Sequence, residues 1–220
     1  TISALGSNPV RNLTVSGGSL SLPNSALIVR ERFTMSGGSL SGGSISANRF
    51  TLSAGTIGAS LTGSSALTKT GAGTLTLNGA ANNYSGLTTV TAGTLVIGSA
   101  SGLPANRALT VNGGTLDLGG TSATLTTVTV SRGTISNGDI SASSAYSVSG
   151  GTINANLGGA AALTKTGTGT AILTGTNTYT GNGGTTTVSA GTLQVSVSSL
   201  PGNVLNNAAL TFNQSTSETY

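Results

Sequence analysis

Apolar and small polar residues alternate along most of the chain in short runs that are typical of β-strands. The clearest of these runs begin at Leu75, Leu95, Leu109, Leu116, Val128 and Leu193. Leucine, isoleucine or valine occupies every second position, so each predicted strand has one apolar face and one polar face. Glycine, asparagine and serine separate the runs, and continuous helix-forming stretches are absent. The pattern predicts an all-β protein.

A glycine followed by threonine or serine and then by leucine or isoleucine recurs at intervals of about 20 residues, the length of one solenoid repeat. The motif begins at Gly18, Gly38, Gly55, Gly73, Gly93, Gly114, Gly133, Gly151 and Gly191, with a weaker copy at Gly169. A unit this short cannot bury its own apolar side chains, so neighbouring units must stack to complete the core. The spacing therefore predicts a parallel β-solenoid of roughly 11 rungs, with a length of about 50 Å.

A longer repeat of about 96 residues is superimposed on the short one. The sequence LTVSGGSL from Leu13 returns as LTVNGGTL from Leu109, and Leu210 starts a similar run that we align with both. The sequence predicts one solenoid over residues 1–220, with two units at about 13–108 and 109–209 and a third unit that begins at about 209.

The most regular part of each long unit carries a recognisable motif. LTKTGAGTLTLNG begins at Leu67 and is followed by NYSG around Tyr84 and by TTVTAGTL from Thr88. The same pattern returns in LTKTGTGTAILTG from Leu163 and continues through Tyr179. These stretches resemble the autotransporter-associated β-strand repeat of bacterial autotransporter passenger domains and related large surface proteins.

The resemblance implies a right-handed parallel β-helix that is exported to the bacterial cell surface or beyond it. Proteins of this type serve as stalks, adhesins or fibres. We expect an extracellular or cell-surface location for the chain on this basis. No protease-like or lipase-like insertion interrupts the predicted rungs.

The composition argues against enzymatic chemistry. Charged residues make up 5% of the chain, against about 25% in ordinary proteins, and histidine and cysteine are absent. The four acidic residues are Glu31, Asp117, Asp139 and Glu218, which fall in different predicted rungs, so we expect no catalytic carboxylate pair. Without histidine or cysteine, Ser/His/Asp and Cys/His nucleophile systems cannot be assembled, and zinc sites are disfavoured. We therefore predict no catalytic residue, no bound metal and no cofactor.

The basic residues are few and dispersed, although the sequence pI is about 10.0. Their one local cluster is Arg30, Glu31 and Arg32, and no aromatic platform accompanies it. We interpret these residues as solvated positions and expect no nucleic-acid partner. No apolar run is long enough to form a transmembrane helix.

Four side chains recur at the same place in both long units, namely Lys69 with Lys165 and Tyr84 with Tyr179. For the lysines we favour solvated rung edges that hinder sideways strand association, with ligand binding as the alternative. For the tyrosines we favour packed turn residues, with stacking on sugar rings as the alternative.

Two classes of function remain after the enzyme class is set aside. The first is an extracellular rod or fibre subunit whose open solenoid ends stack head to tail into filaments. The second is a surface adhesin segment of a passenger domain, which would bind glycans or matrix through one face of the solenoid. Sparse aromatic and charged residues favour the fibre.

Overall fold

The computed structural model describes residues 9–213, which form a single stack of short strands. Strand makes up 57% of the structure, α-helix is absent from the described residues, and the stack has about 11 turns. All strand pairings in this range are parallel. The prediction of an all-β parallel solenoid is therefore confirmed.

The first half of the stack contains eleven strands. They are β1 (Val10–Val15), β2 (Ser19–Ser21), β3 (Ala26–Met35), β4 (Ser39–Ser41), β5 (Ser44–Leu52), β6 (Gly55–Ile57), β7 (Ser60–Thr62), β8 (Ala66–Lys69), β9 (Thr74–Leu77), β10 (Thr88–Val90) and β11 (Thr94–Ile97).

The second half follows the same course, with two exceptions. Its strands are β12 (Arg107–Asp117), β13 (Ser122–Ser136), β14 (Asp139–Val148), β15 (Gly151–Ile153), β16 (Asn156–Gly158), β17 (Ala162–Lys165), β18 (Thr170–Leu173), β19 (Thr186–Val188), β20 (Thr192–Val195), β21 (Val204–Asn206) and β22 (Ala209–Phe212). The exceptions are β12 and β13, which each span the positions of two separate strands of the first half. Two short 3-10 turns lie at Gly181–Gly184 and Val197–Ser199.

One column of residues fixes the register of the whole stack. Each member pairs with the next one along the rod, and together the members mark eleven rungs. They are Leu13, Phe33, Phe50, Leu67, Thr88, Leu109, Val128, Tyr146, Leu163, Thr186 and Val204. We call this set the register column. Its members from Phe33 to Thr186 are buried, so the apolar faces of successive rungs meet in one continuous core.

The next residue in every rung points away from the core, and here the chain builds a ladder of hydroxyl groups. Ten successive rungs carry threonine or serine at this place, and all but the first of these side chains are half-buried. They are Thr14, Thr34, Thr51, Thr68, Thr89, Thr110, Thr129, Ser147, Thr164 and Thr187. Uncharged side chains can stack in this way without the repulsion that a column of like charges would suffer.

The third side of the solenoid is only partly built from strands. The N-terminal halves of β3 and β5 stack on β7, and those of β13 and β14 stack on β16. In the two rungs that follow each of these stacks, loops replace the third strand, around residues 79–86 and 98–106 in the first predicted unit. The exposed peptide groups of β7 and β16 therefore need partners from these loops.

The end of the described chain differs from the sequence alignment in one respect. Leu210 pairs with Leu193 of the preceding rung. In the first unit, the residue at the position of Leu193 is Leu95, and its partner in the next rung is Leu116. Leu210 therefore lies in the column of Leu116, and the prediction that it takes the place of Leu109 is wrong. Val204 holds that place instead. The connecting loop is shorter before Val204, which a motif match alone does not register.

Within residues 9–213, no helix has the length and apolar character that a membrane-crossing helix requires.

Candidate functional site

The acidic residues do not come together. Glu31 is exposed and forms an ion pair with Arg11, with 2.7 Å between the Arg11 Nε and a Glu31 carboxylate oxygen. Glu218 lies outside the described residues. In the part of the chain that the structure covers, no group of three or more acidic, histidine or cysteine residues has a geometry that could hold a metal ion.

Both aspartates act as hydrogen-bond acceptors for neighbouring rungs. The Asp117 carboxylate accepts hydrogen bonds from the backbone N–H of Gly119 at 2.9 Å and from the side-chain amide of Asn137 at 3.1 Å. The Asp139 carboxylate accepts hydrogen bonds from Asn156 at 2.9 Å and from Ser122 at 3.3 Å. Asp117 thus fastens a turn to the next rung, and Asp139 joins the strands on either side of its own.

Lys69 lies in the core, and the prediction that it occupies a solvated rung edge is wrong. Its side chain is 0% exposed. The ammonium group donates hydrogen bonds to the carbonyl oxygens of Thr70 at 2.7 Å, Gly71 at 2.9 Å and Ala92 at 2.9 Å. The first two carbonyls belong to the turn of its own rung and the third to the turn of the next rung. Lys69 therefore ties two turns together from inside.

Lys165 repeats this arrangement in the second predicted unit, and it is also 0% exposed. Its ammonium group donates hydrogen bonds to the carbonyl oxygens of Thr166 at 2.6 Å, Gly167 at 2.9 Å and Ala190 at 2.9 Å. Burial lowers the pKa of both lysines because an ammonium ion loses its hydration. The alternation of the strand contained the signal for this position: if Leu67 points inward, Lys69 points inward as well.

Two buried asparagines complete the third side of the solenoid, and the sequence analysis missed them. The Asn82 side-chain oxygen accepts a hydrogen bond from the Leu61 N–H at 2.8 Å, and its amide nitrogen donates to the Gly102 carbonyl at 3.0 Å. Asn177 binds the Leu157 N–H at 2.8 Å and the Ser199 carbonyl at 2.8 Å in the same way. Each asparagine thus replaces a missing strand between two rungs. Leaving such buried groups unpaired costs about 1–3 kcal/mol for each group.

The recurrent tyrosines are packed, as the sequence predicts. Tyr84 is 0% exposed, and its hydroxyl shares a hydrogen bond of 2.7 Å with the Thr88 hydroxyl. Its ring meets Phe50 edge to face, with 6.1 Å between the ring centroids. Burial raises the Tyr84 pKa. Tyr179 is equally buried and makes the matching hydroxyl contact with Thr186. Neither ring is available to stack on a sugar.

An open groove of about 670 Å³ lies over the first three rungs. Its lining is polar and consists of Asn12, Thr14, Glu31, Arg32, Thr34, Asn48 and Arg49. We call it the arginine groove. Arg32 and Arg49 are exposed and are direct register partners in neighbouring rungs. The predicted solvent exposure of Arg30, Glu31 and Arg32 is confirmed. The stacking of Arg32 on Arg49 was not predicted.

Comparison with known proteins supports the resemblance. The model of the passenger-associated-transport-repeat family matches residues 67–97 and 163–195. These segments contain both buried lysines and both recurrent tyrosines, Tyr84 and Tyr179. The chain is also 38% identical over 125 residues to the adhesin BmaC autotransporter of Brucella suis biovar 1 (strain 1330). That match covers 52% of this chain and 4% of the relative. No solved structure matches the chain.

These two matches indicate an extracellular or cell-surface location. Together with the parallel stack of rungs, they support an autotransporter passenger-like β-solenoid, in which residues 67–97 and 163–195 match the passenger-associated-transport-repeat.

Proposed function

We propose that the chain is a rigid, non-enzymatic segment of an adhesin passenger, which both extends from the bacterial surface and contributes to attachment. The observation that carries the proposal is the unbroken stack of rungs through residues 9–213, with one core and no inserted domain. An autotransporter named as an adhesin is similar to 52% of the chain, which supports the attachment role. The chain spans only 4% of that relative, so the proposal concerns this segment.

The non-enzymatic part of the proposal rests on the placement of the acids. Glu31 is paired with Arg11, and the two aspartates hold neighbouring rungs together. General acid–base chemistry needs titratable groups that converge on one substrate. The described residues contain no such convergence, and the fully buried lysines, Asn82, Asn177 and Thr88 are hydrogen-bonded to backbone atoms or to other side chains.

We expect bacteria that display the 220-residue chain on a heterologous translocator to adhere to animal-cell monolayers more strongly than bacteria that display the translocator alone. Adherence is measured by counting bound cells after washing, with equal surface display verified by antibody. Equal adherence of the two strains would contradict the attachment role. Turnover of neutral or acidic polysaccharides by the purified chain would contradict the non-enzymatic role.

End-to-end stacking of chains is a second candidate function. It is favoured by strands at both ends of the described stack, because β1 pairs only with β3 and β21 only with β19 within residues 9–213. Strand edges of this kind can pair with another chain. Electron micrographs of the concentrated chain would then show filaments, whereas particles no longer than one rod would contradict this candidate.

A further inference from the structure

Positive charge is concentrated at one end of the rod. Arg11, Arg30, Arg32 and Arg49 all lie in the first three rungs, where Glu31 is the one acidic residue, so residues 9–52 carry a net charge of +3. The two lysines of the chain are buried and contribute nothing to the surface. The arginine groove therefore lies in the most positive part of the described surface.

The groove stacks two like charges, and Glu31 is the one acidic residue in its lining. Arg32 and Arg49 are register partners, which places their backbones about 4.8 Å apart. Like charges directly opposite each other in a sheet are destabilising. The single ion pair among the described residues joins Arg11 to Glu31, so no carboxylate of these residues lies within 4.0 Å of the Arg32 or Arg49 guanidinium. An anion bound between them would relieve this repulsion.

The fold itself does not require arginine at these positions. The register column shows that Thr127 and Ala145 hold the corresponding places in the second predicted unit, where they are also register partners. A register shift precedes the column in both units, with the extra residue in β3 in the first unit and in β14 in the second. The arginine pair is therefore a local addition to the first unit, and it is not part of what the repeat needs in order to stack.

We propose that the arginine groove binds an acidic glycan, with the two guanidinium groups on sulfate or carboxylate groups of the sugar chain. This inference rests on the proposed attachment role and names its ligand. Guanidinium groups bind such anions through paired hydrogen bonds, which suits two arginines held at a fixed spacing. Asn48 and Thr34 supply amide and hydroxyl groups for sugar hydroxyls. No aromatic side chain lines the groove, which disfavours single-stranded nucleic acid because its bases need stacking partners.

The test is a calorimetric titration of the purified chain with a heparin hexasaccharide and with the same hexasaccharide after desulfation. We expect binding of the sulfated probe, weakening with salt, and at least a tenfold loss on desulfation, about 1.4 kcal/mol. The variant Arg32→Thr with Arg49→Ala restores the residues of the second unit, so it should fold normally and lose at least tenfold in affinity.

Single variants provide the matched control for net charge. Arg49→Ala and Arg132→Ala each remove one exposed arginine, and Arg132 lies outside the groove. We expect a clear loss of affinity only for Arg49→Ala. Equal losses, absent binding of the sulfated probe, or equally tight binding of an oligothymidine would overturn the inference. If displaying bacteria adhere and the Arg32→Thr, Arg49→Ala double variant adheres equally well, the groove assignment fails while the attachment role stands.

Discussion

Replacing Gly93 with alanine is expected to lower the free energy of unfolding by more than about 4 kcal/mol, which places it among the most damaging single substitutions. Gly93 has a φ of +63°, a backbone conformation that costs a residue with a side chain about 1–2 kcal/mol. A methyl group there would also press against the carbonyl oxygens of Gly71 and Gly73 and lie 2.7 Å from the Lys69 ammonium. Backbone atoms in a close-packed stack cannot move aside cheaply.

Alanine substitutions at Gly18 and Gly17 separate the cost of the positive φ from the cost of the steric contacts. Gly18 has a similar φ of +67°, but no atom lies within 4 Å of its added methyl group, so Gly18→Ala should cost only about 1–2 kcal/mol. Gly17 has equal space without the positive φ, and Gly17→Ala should be nearly neutral. Chemical unfolding followed by far-ultraviolet circular dichroism gives the three values. Equal costs at Gly93 and Gly18 would contradict the tight stacking of turns.

Lys69→Glu should cost more than about 3 kcal/mol, because it buries a negative charge among carbonyl oxygens. The present ammonium group satisfies three carbonyls, whereas a carboxylate would repel them. Lys69→Met keeps the aliphatic stem and removes the donors, and it should cost about 1–3 kcal/mol. The control Arg132→Glu makes the same charge reversal at an exposed position and should change stability by less than about 0.5 kcal/mol. Similar effects for Lys69→Glu and Arg132→Glu would show that Lys69 is solvated.

The pH dependence of stability gives a second readout of the same lysines. Burial holds their pKa below the ordinary 10.5, so between the lowered pKa and 10.5 the unfolded chain binds more protons than the folded chain. The contribution of the lysines to the free energy of unfolding therefore rises with pH across that window. Burial also raises the Tyr146 pKa to about 12, which lowers stability above pH 10. This tyrosine effect cancels when the chain is compared with the Lys69→Met, Lys165→Met double variant, in which the rise should be absent.

The short repeat made most of the fold predictable. The alternation of apolar and hydroxyl residues determines which side chains enter the core, and the regular glycine motif gives the rung length. The eight motif glycines with positive φ include Gly93 and Gly114, as expected for turn positions. Gly73 is an exception, because the positive φ falls on Gly71 instead. The motif shows that a turn is present without showing which glycine takes the unusual conformation.

The polar interior could not be predicted in the same way. A lysine is normally an exposed residue, and that general tendency outweighed the alternation that places Lys69 beside Leu67 on the inner face. Asn82 carried no strand or motif signal, because its role depends on a loop that replaces the third strand of its rung. The stacked arginines likewise depend on register between rungs, since Arg32 and Arg49 are 17 positions apart and meet only after the chain has completed one turn.

The register column also explains why Leu210 does not take the place of Leu109 near the end of the chain. Motif matching rewards similar letters, and the run at Leu210 looks like the run at Leu109. The position of a residue in the stack depends on the number of residues in each rung. The rung before Val204 is shorter than the rung before Leu109. A difference of a few loop residues therefore moves a matching run from one sheet of the rung to the next.

The most direct test of the continuous solenoid is its length after a repeat is added. A variant with residues 13–108 duplicated in tandem should gain five rungs, because the register column advances by five members from Leu13 to Leu109. Small-angle X-ray scattering should then show a maximum dimension about 24 Å greater and an unchanged cross-section. Growth of the cross-section, or two separate bodies joined by a linker, would contradict the stacked solenoid.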